Sequence, residues 1–97
     1  MTPEGKVKAK VKTVLKRFGA YYHMVVQNGL GAPSLDFVGC HGGMFFAVET
    51  KAGNKDMTER QKQTASTMQE AGGTVFLVNE VFGLAELEQW LQENEHA

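Results

Sequence analysis

Leu35-Asp36-Phe37-Val38-Gly39-Cys40-His41-Gly42-Gly43-Met44-Phe45-Phe46-Ala47-Val48-Glu49-Thr50-Lys51 is the stretch that decides the fold. Two apolar-rich runs, Leu35–Cys40 and Met44–Lys51, flank His41-Gly42-Gly43. A two-residue hairpin turn needs positive φ at its central positions, which glycine adopts without a steric penalty. A turn on Gly42-Gly43 pairs His41 with Met44, Phe37 with Val48 and Asp36 with Glu49. One face of the hairpin then collects Leu35, Phe37, Phe46 and Val48, a plain core face. Lys51 joins Glu49 on the other, because strand side chains alternate. Facing residues in an antiparallel pair hold their Cβ atoms roughly 4.5–5.5 Å apart. The register that buries four apolar side chains therefore also gathers two carboxylates and an ammonium, and moving the turn by one residue breaks the pair.

Working upstream, Asn28–Ser34 contains two glycines and a proline and reads as a loop. Ala20–Gln27 is rich in aromatic and β-branched residues and reads as a strand. Lys6–Lys12 alternates like a strand, but Thr2 as N-cap, Pro3 in the first helical position, Glu4 in the first turn and Gly19 as a stop favour a helix. Its apolar stripe is Val7, Val11, Val14 and Phe18, and the spacing extended backwards reaches Glu4 on the core-facing side. A carboxylate there also suits the positive end of the helix dipole.

Downstream, Thr58 caps a helix running to about Ala71 and closed by Gly72-Gly73. Thr74–Val78 is a strand, and Leu84–Asn94 a terminal helix with Leu84, Leu87, Trp90 and Leu91 on one side. The order α-β-β-β-α-β-α describes a single α/β domain over 1–97, with helices packed on a mixed sheet.

Composition narrows the function classes. Hydrophobic residues make up 42% of the 97, enough to pack a core. A single cysteine excludes an internal disulfide framework and a Cys-rich zinc site. Apolar runs such as Phe45–Val48 fall far short of the roughly 20 residues that span a bilayer, and the N-terminal residues lack an apolar leader. A cytoplasmic protein with no membrane partner is expected. The net charge of −1 hides an asymmetry: residues 1–17 carry six Lys/Arg and one acid, and residues 63–97 carry six glutamates and no Lys or Arg. One reading is two solvated helix faces; the other is a basic side for a polyanion and an acidic side turned away from it.

Two close carboxylates repel in a low-dielectric site unless something neutralises them. A divalent cation does so, and all-oxygen ligands favour Mg²⁺ or Mn²⁺ over zinc. Lys51 beside that ion would stabilise the negative charge of phosphodiester hydrolysis. A cross-strand Asp–Lys or Glu–Lys pair on a solvated sheet face would use the same spacing. In the following helix the inward stripe is Gln61, Ala65, Met68 and Gly72, and an amide at its head needs partners, with Glu49 and Lys51 the nearest.

Gly31-Ala32-Pro33-Ser34-Leu35-Asp36, Phe46-Ala47-Val48-Glu49-Thr50-Lys51 and Thr58-Glu59-Arg60-Gln61 together resemble the VRR-NUC (virus-type replication-repair nuclease) family of the PD-(D/E)xK superfamily. The resemblance runs from Glu4 through Gly72-Gly73-Thr74-Val75-Phe76, where the last strand begins. It implies a restriction-endonuclease-like αβββαβ core, here with an extra C-terminal helix. It also implies Glu4, Asp36 and Glu49 as metal-site carboxylates, the Thr50 carbonyl as a further ligand, Lys51 as the catalytic lysine and Gln61 as its supporting glutamine. The family usually has proline directly before the aspartate, whereas Ser34-Leu35 intervenes here; the strand pairing places Asp36 without that proline. Stand-alone members resembling this chain are virus- or phage-encoded homodimers that cut branched DNA such as Holliday junctions. Lys6, Lys10, Lys16, Arg17, Lys55 and Arg60 are the candidate phosphate contacts. Tyr21 and Tyr22 could stack on bases but, as strand aromatics, read first as core residues, and His41 reads as exposed beside its turn. A non-catalytic nucleic-acid-binding module, or a nuclease on other DNA or RNA, remains the alternative.

Overall fold

The computed structural model describes residues 1–26 and 31–95. The expected loop residues Asn28, Gly29 and Leu30, and the strand end at Gln27, lie outside them. The element order is α1 (Pro3–Arg17), β1 (Tyr21–Met24), β2 (Phe37–His41), β3 (Met44–Thr50), α2 (Glu59–Glu70), β4 (Thr74–Val78) and α3 (Leu84–Glu93). Gly42 and Gly43 turn the chain with φ of 60° and 79°. The register is the one their positions dictate, with Phe37 opposite Val48 and His41 opposite Met44. The sheet runs β1-β2-β3-β4, antiparallel except for the parallel pair β3 and β4. The fold is the mixed α/β architecture expected.

Lys6–Lys12 is helical rather than extended. Thr2 Oγ1 accepts the Gly5 N–H at 3.0 Å, and Pro3 occupies the first turn, where its missing N–H is harmless. The 3.6-residue spacing then buries Val7, Val11, Val14 and Leu15. These meet Phe37, Phe46, Val48, Phe76 and Val78 from the sheet and Leu87 and Leu91 from α3. Burying one such side chain fully contributes about 1.5–3 kcal/mol.

The opposite sheet face makes a smaller cluster, Leu35 and Ala47 with Ala65 of α2. Leu35 therefore does not share a face with Phe37, Phe46 and Val48 as expected. It precedes β2, so strand alternation does not extend to it. The charge asymmetry is also arranged differently from the reading of opposed basic and acidic sides. α1 and α3 pack into the same core cluster, and Arg17 Nη2 reaches Glu88 Oε2 at 2.7 Å. Among the described residues no helix is long and apolar enough to cross a membrane.

Candidate active site

β3 ends with Glu49 and Thr50 and leads directly into Lys51. Glu49 and Thr50 are buried, and the Lys51 side chain is 15% exposed. Their burial follows from β3 being an inner strand, hydrogen-bonded on both sides. Glu49 Oε2 lies 3.8 Å from Lys51 Nζ and accepts a 2.8 Å hydrogen bond from Gln61 Nε2. Glu49 Oε1 accepts the Asp36 N–H at 3.2 Å. Thr50 donates to Asp36 Oδ2 twice, from its N–H at 3.0 Å and its hydroxyl at 2.6 Å.

The two acids come together, but not as the facing cross-strand pair that the hairpin arithmetic suggests. Strand pairing begins at Phe37, and Asp36 lies one residue before it. Its N–H serves Glu49 while its carboxylate turns onto Thr50. Like charges side by side repel, and here each anion takes its own N–H or O–H donors. In extended strand a residue's N–H and C=O point the same way, so the Thr50 carbonyl also faces the Asp36 side.

Gln61 is oriented by the start of its own helix. Thr58 Oγ1 accepts the Gln61 N–H at 3.2 Å, and Gln61 Oε1 accepts the Thr58 N–H at 3.0 Å, a capping box. With its oxygen committed to the cap, the amide can only present Nε2 to Glu49. The expected partner of the amide is thus the carboxylate, and the helix cap fixes the site.

Burial, and then the nearby Asp36 charge, push the Glu49 carboxyl up to about 7 from the ordinary 4.5; Lys51 pulls the other way. Lys51 offsets only part of the cost of ionising such a carboxylate, and a cation between Asp36 and Glu49 would supply the rest. Oxygen donors from Asp36, Glu49 and the Thr50 carbonyl suit Mg²⁺ or Mn²⁺. Glu4 stands further out: its half-exposed side chain pairs with Lys8 at 3.5 Å and adds a small repulsion at Glu49. Among the described residues, no three His, Cys, Asp or Glu side chains are grouped as a metal-ligand cluster.

The expected phosphate contacts divide. Lys6, Lys10, Lys16, Lys55 and Arg60 are exposed. Arg17 is committed to Glu88 and lies 5.0 Å over the Phe18 ring. Lys16 and Arg17 also sit at the far end of α1 from Glu4, about 18–20 Å along the axis. Tyr22 packs on Phe37 with ring centroids 5.8 Å apart, but Tyr21 is 69% exposed. His41 is buried, its Nε2 2.8 Å from the Leu91 carbonyl, because α3 closes over the turn.

Sequence reasoning missed Asn79, which is buried just beyond β4. Its Oδ1 accepts the N–H groups of Val81 and Phe82, both at 2.9 Å, and its Nδ2 donates to the Lys55 carbonyl at 3.0 Å. An asparagine at a strand end with Gly83 four residues on is a turn signal of the kind that finds such residues. No known protein family matches the sequence, and no curated protein matches it.

Proposed function

We propose that the protein is a Mg²⁺- or Mn²⁺-dependent DNA endonuclease that hydrolyses phosphodiester bonds, acting on branched DNA such as four-way junctions. The observation that carries this reading is the shared Glu49 carboxylate. It receives the Gln61 amide, the Asp36 N–H and the Lys51 ammonium from three separate segments. A solvated structural ion pair needs none of this buried ordering.

Asp36, Glu49 and the Thr50 carbonyl would hold the ion, with Glu4 as the further carboxylate that the family resemblance implies. Held by these oxygens, a divalent cation would supply Lewis-acid polarisation of the scissile phosphate and offset the charge that builds during hydrolysis. The Lys51 ammonium, partly desolvated, donates hydrogen bonds to the attacking water or to a phosphate oxygen as negative charge develops. Gln61 fixes the orientation of the Glu49 carboxylate by donating to the same oxygen that faces Lys51. Lys6, Lys10, Lys55 and Arg60 supply phosphate contacts that hold the backbone without reading sequence. Symmetric cutting of a junction calls for two sites, hence a two-fold homodimer.

The test compares a four-way junction, a flap, a linear duplex and single strands of DNA and RNA, each with Mg²⁺, Mn²⁺ or EDTA at one salt concentration. Cleavage of the junction with either metal, lost in Glu49→Gln and Lys51→Ala while binding persists, is the expected result. Binding without cleavage under every condition would instead make the protein a nucleic-acid-binding module. Preferential cutting of RNA or single strands would reassign the substrate.

A further inference from the structure

β3 and β4 are parallel, so the chain leaves both at the same end of the sheet, the end that carries Lys51. The two loops that follow are joined to each other. Glu80 N–H donates to the Gly53 carbonyl at 3.0 Å, Gly53 N–H donates to Glu80 Oε1 at 2.7 Å, and Asn79 Nδ2 holds the Lys55 carbonyl. Within the second loop, Asn79 N–H donates to the Phe82 carbonyl at 3.0 Å while the Asn79 side chain caps Val81 and Phe82. Gly83 closes the loop at φ 98°, where a Cβ would strike the Leu77 carbonyl.

This loop is over-determined, yet it leaves Val81 70% and Phe82 50% exposed. A slack loop would fold two adjacent apolar side chains inwards; here six hydrogen bonds keep them out. They border a groove of about 160 Å³ that also takes in Val7, Val78 and Leu84, with Lys10 at its side. Lys51 N–H donates to the carbonyl of Val78 at 3.0 Å, so a residue lining the groove is bonded to the backbone of the site lysine. Glu80 also lines the groove, one of its carboxylate oxygens taken up by the Gly53 N–H; the aromatic face, apolar wall and Lys10 cation match a nucleobase with its phosphate. The clustered lysines of α1 supply the matching charge.

We propose that Phe82, backed by Val81, is a base-stacking platform that receives an unpaired nucleobase of DNA bound at the active site, with Lys10 on the adjoining phosphate. The inference rests on the nuclease reading above and adds how an open branch point is told from continuous duplex. A duplex keeps its bases stacked on one another; a branch point offers a free face. Asn79 is the positioning residue, since it holds Phe82 and the Lys55 loop together.

The test is binding by fluorescence anisotropy in EDTA, at one salt concentration, to a four-way junction and to the same junction with abasic linkers at the branch point. Phe82→Ala should weaken binding to the intact junction roughly 5- to 100-fold, the effect of losing one stacked base. On the abasic junction the wild type and Phe82→Ala should bind alike, and Phe82→Tyr should bind both as the wild type does. Equal affinities for wild type and Phe82→Ala on the intact junction, with both folded by circular dichroism, would overturn the platform. So would the same loss on both junctions. Metal-dependent cleavage by the wild type separates the two claims: cleavage without a Phe82 effect overturns this inference alone, and no DNA binding by the wild type overturns both.

Discussion

The fold disfavours the ionised form of Glu49. Its carboxyl titrates at about 7 in the folded chain, against 4.5 ordinarily, first because it is buried and second because Asp36 is near. A raised folded value means that stability from this group is complete below about pH 4.5 and is lost as pH rises through 7. In EDTA, Glu49→Gln should therefore raise the melting temperature at pH 8, by about 1–3 kcal/mol of stability, and change it little at pH 4.5. Melts at the two pH values check this; equal shifts at both would deny the buried charge. Lys51 and Gln61 act on the same carboxylate in different ways. Lys51→Ala, which removes charge from the reaction itself, should cost on the order of 10²–10³ in cleavage rate. Gln61→Ala removes only the orientation of Glu49 and should cost roughly 10–100-fold. Single-turnover assays at saturating DNA rank the two, and a larger loss at Gln61 would reverse their roles.

At the scale of elements, the hairpin and the α2 cap show what a sequence carries openly. Both are local: Gly42-Gly43 sets the register by backbone conformation, and Thr58-x-x-Gln61 sets the cap by reach. Asp36, Glu49, Lys51 and Gln61 could be brought together on those two devices alone. What could not be read depends on segments far apart. Leu35 packs beneath α2 because the chain is not yet a strand, and His41 is buried only because α3 returns over it. Asn79 carries its meaning in partners on two different loops. The cap yields its own prediction. Thr58→Ala should lower stability by about 0.5–2 kcal/mol, and Thr58→Ser should restore it. Thermal melts of the two variants measure this, and an unchanged Thr58→Ala melt would show that the cap adds nothing to α2.

For the whole molecule, the arrangement places one sheet between two unequal layers, with α1 and α3 on one side and α2 on the other. The basic and acidic helices neighbour each other, and Lys10 of α1 lines one surface hollow together with Leu84 and Glu88 of α3. The Arg17–Glu88 pair joins those helices at the end away from Glu4, and both side chains are substantially exposed. A double-mutant cycle on the two should give a coupling below about 1 kcal/mol, shrinking with salt; a coupling of several kcal/mol would make the pair a main support of the fold. The site itself lies where parallel β3 and β4 end together, between the α2 cap and the first turn of α1. On the proposed reading, Asp36 and Glu49 form one cation site beside Lys51. The most direct measurement is calorimetric titration of Mn²⁺ at pH 7 in two buffers of different ionisation enthalpy. Saturable binding accompanied by proton release, in keeping with a Glu49 carboxyl pushed up to about 7, and that vanishes in Asp36→Asn, is the predicted result. No binding heat, or identical binding by Asp36→Asn, would contradict it.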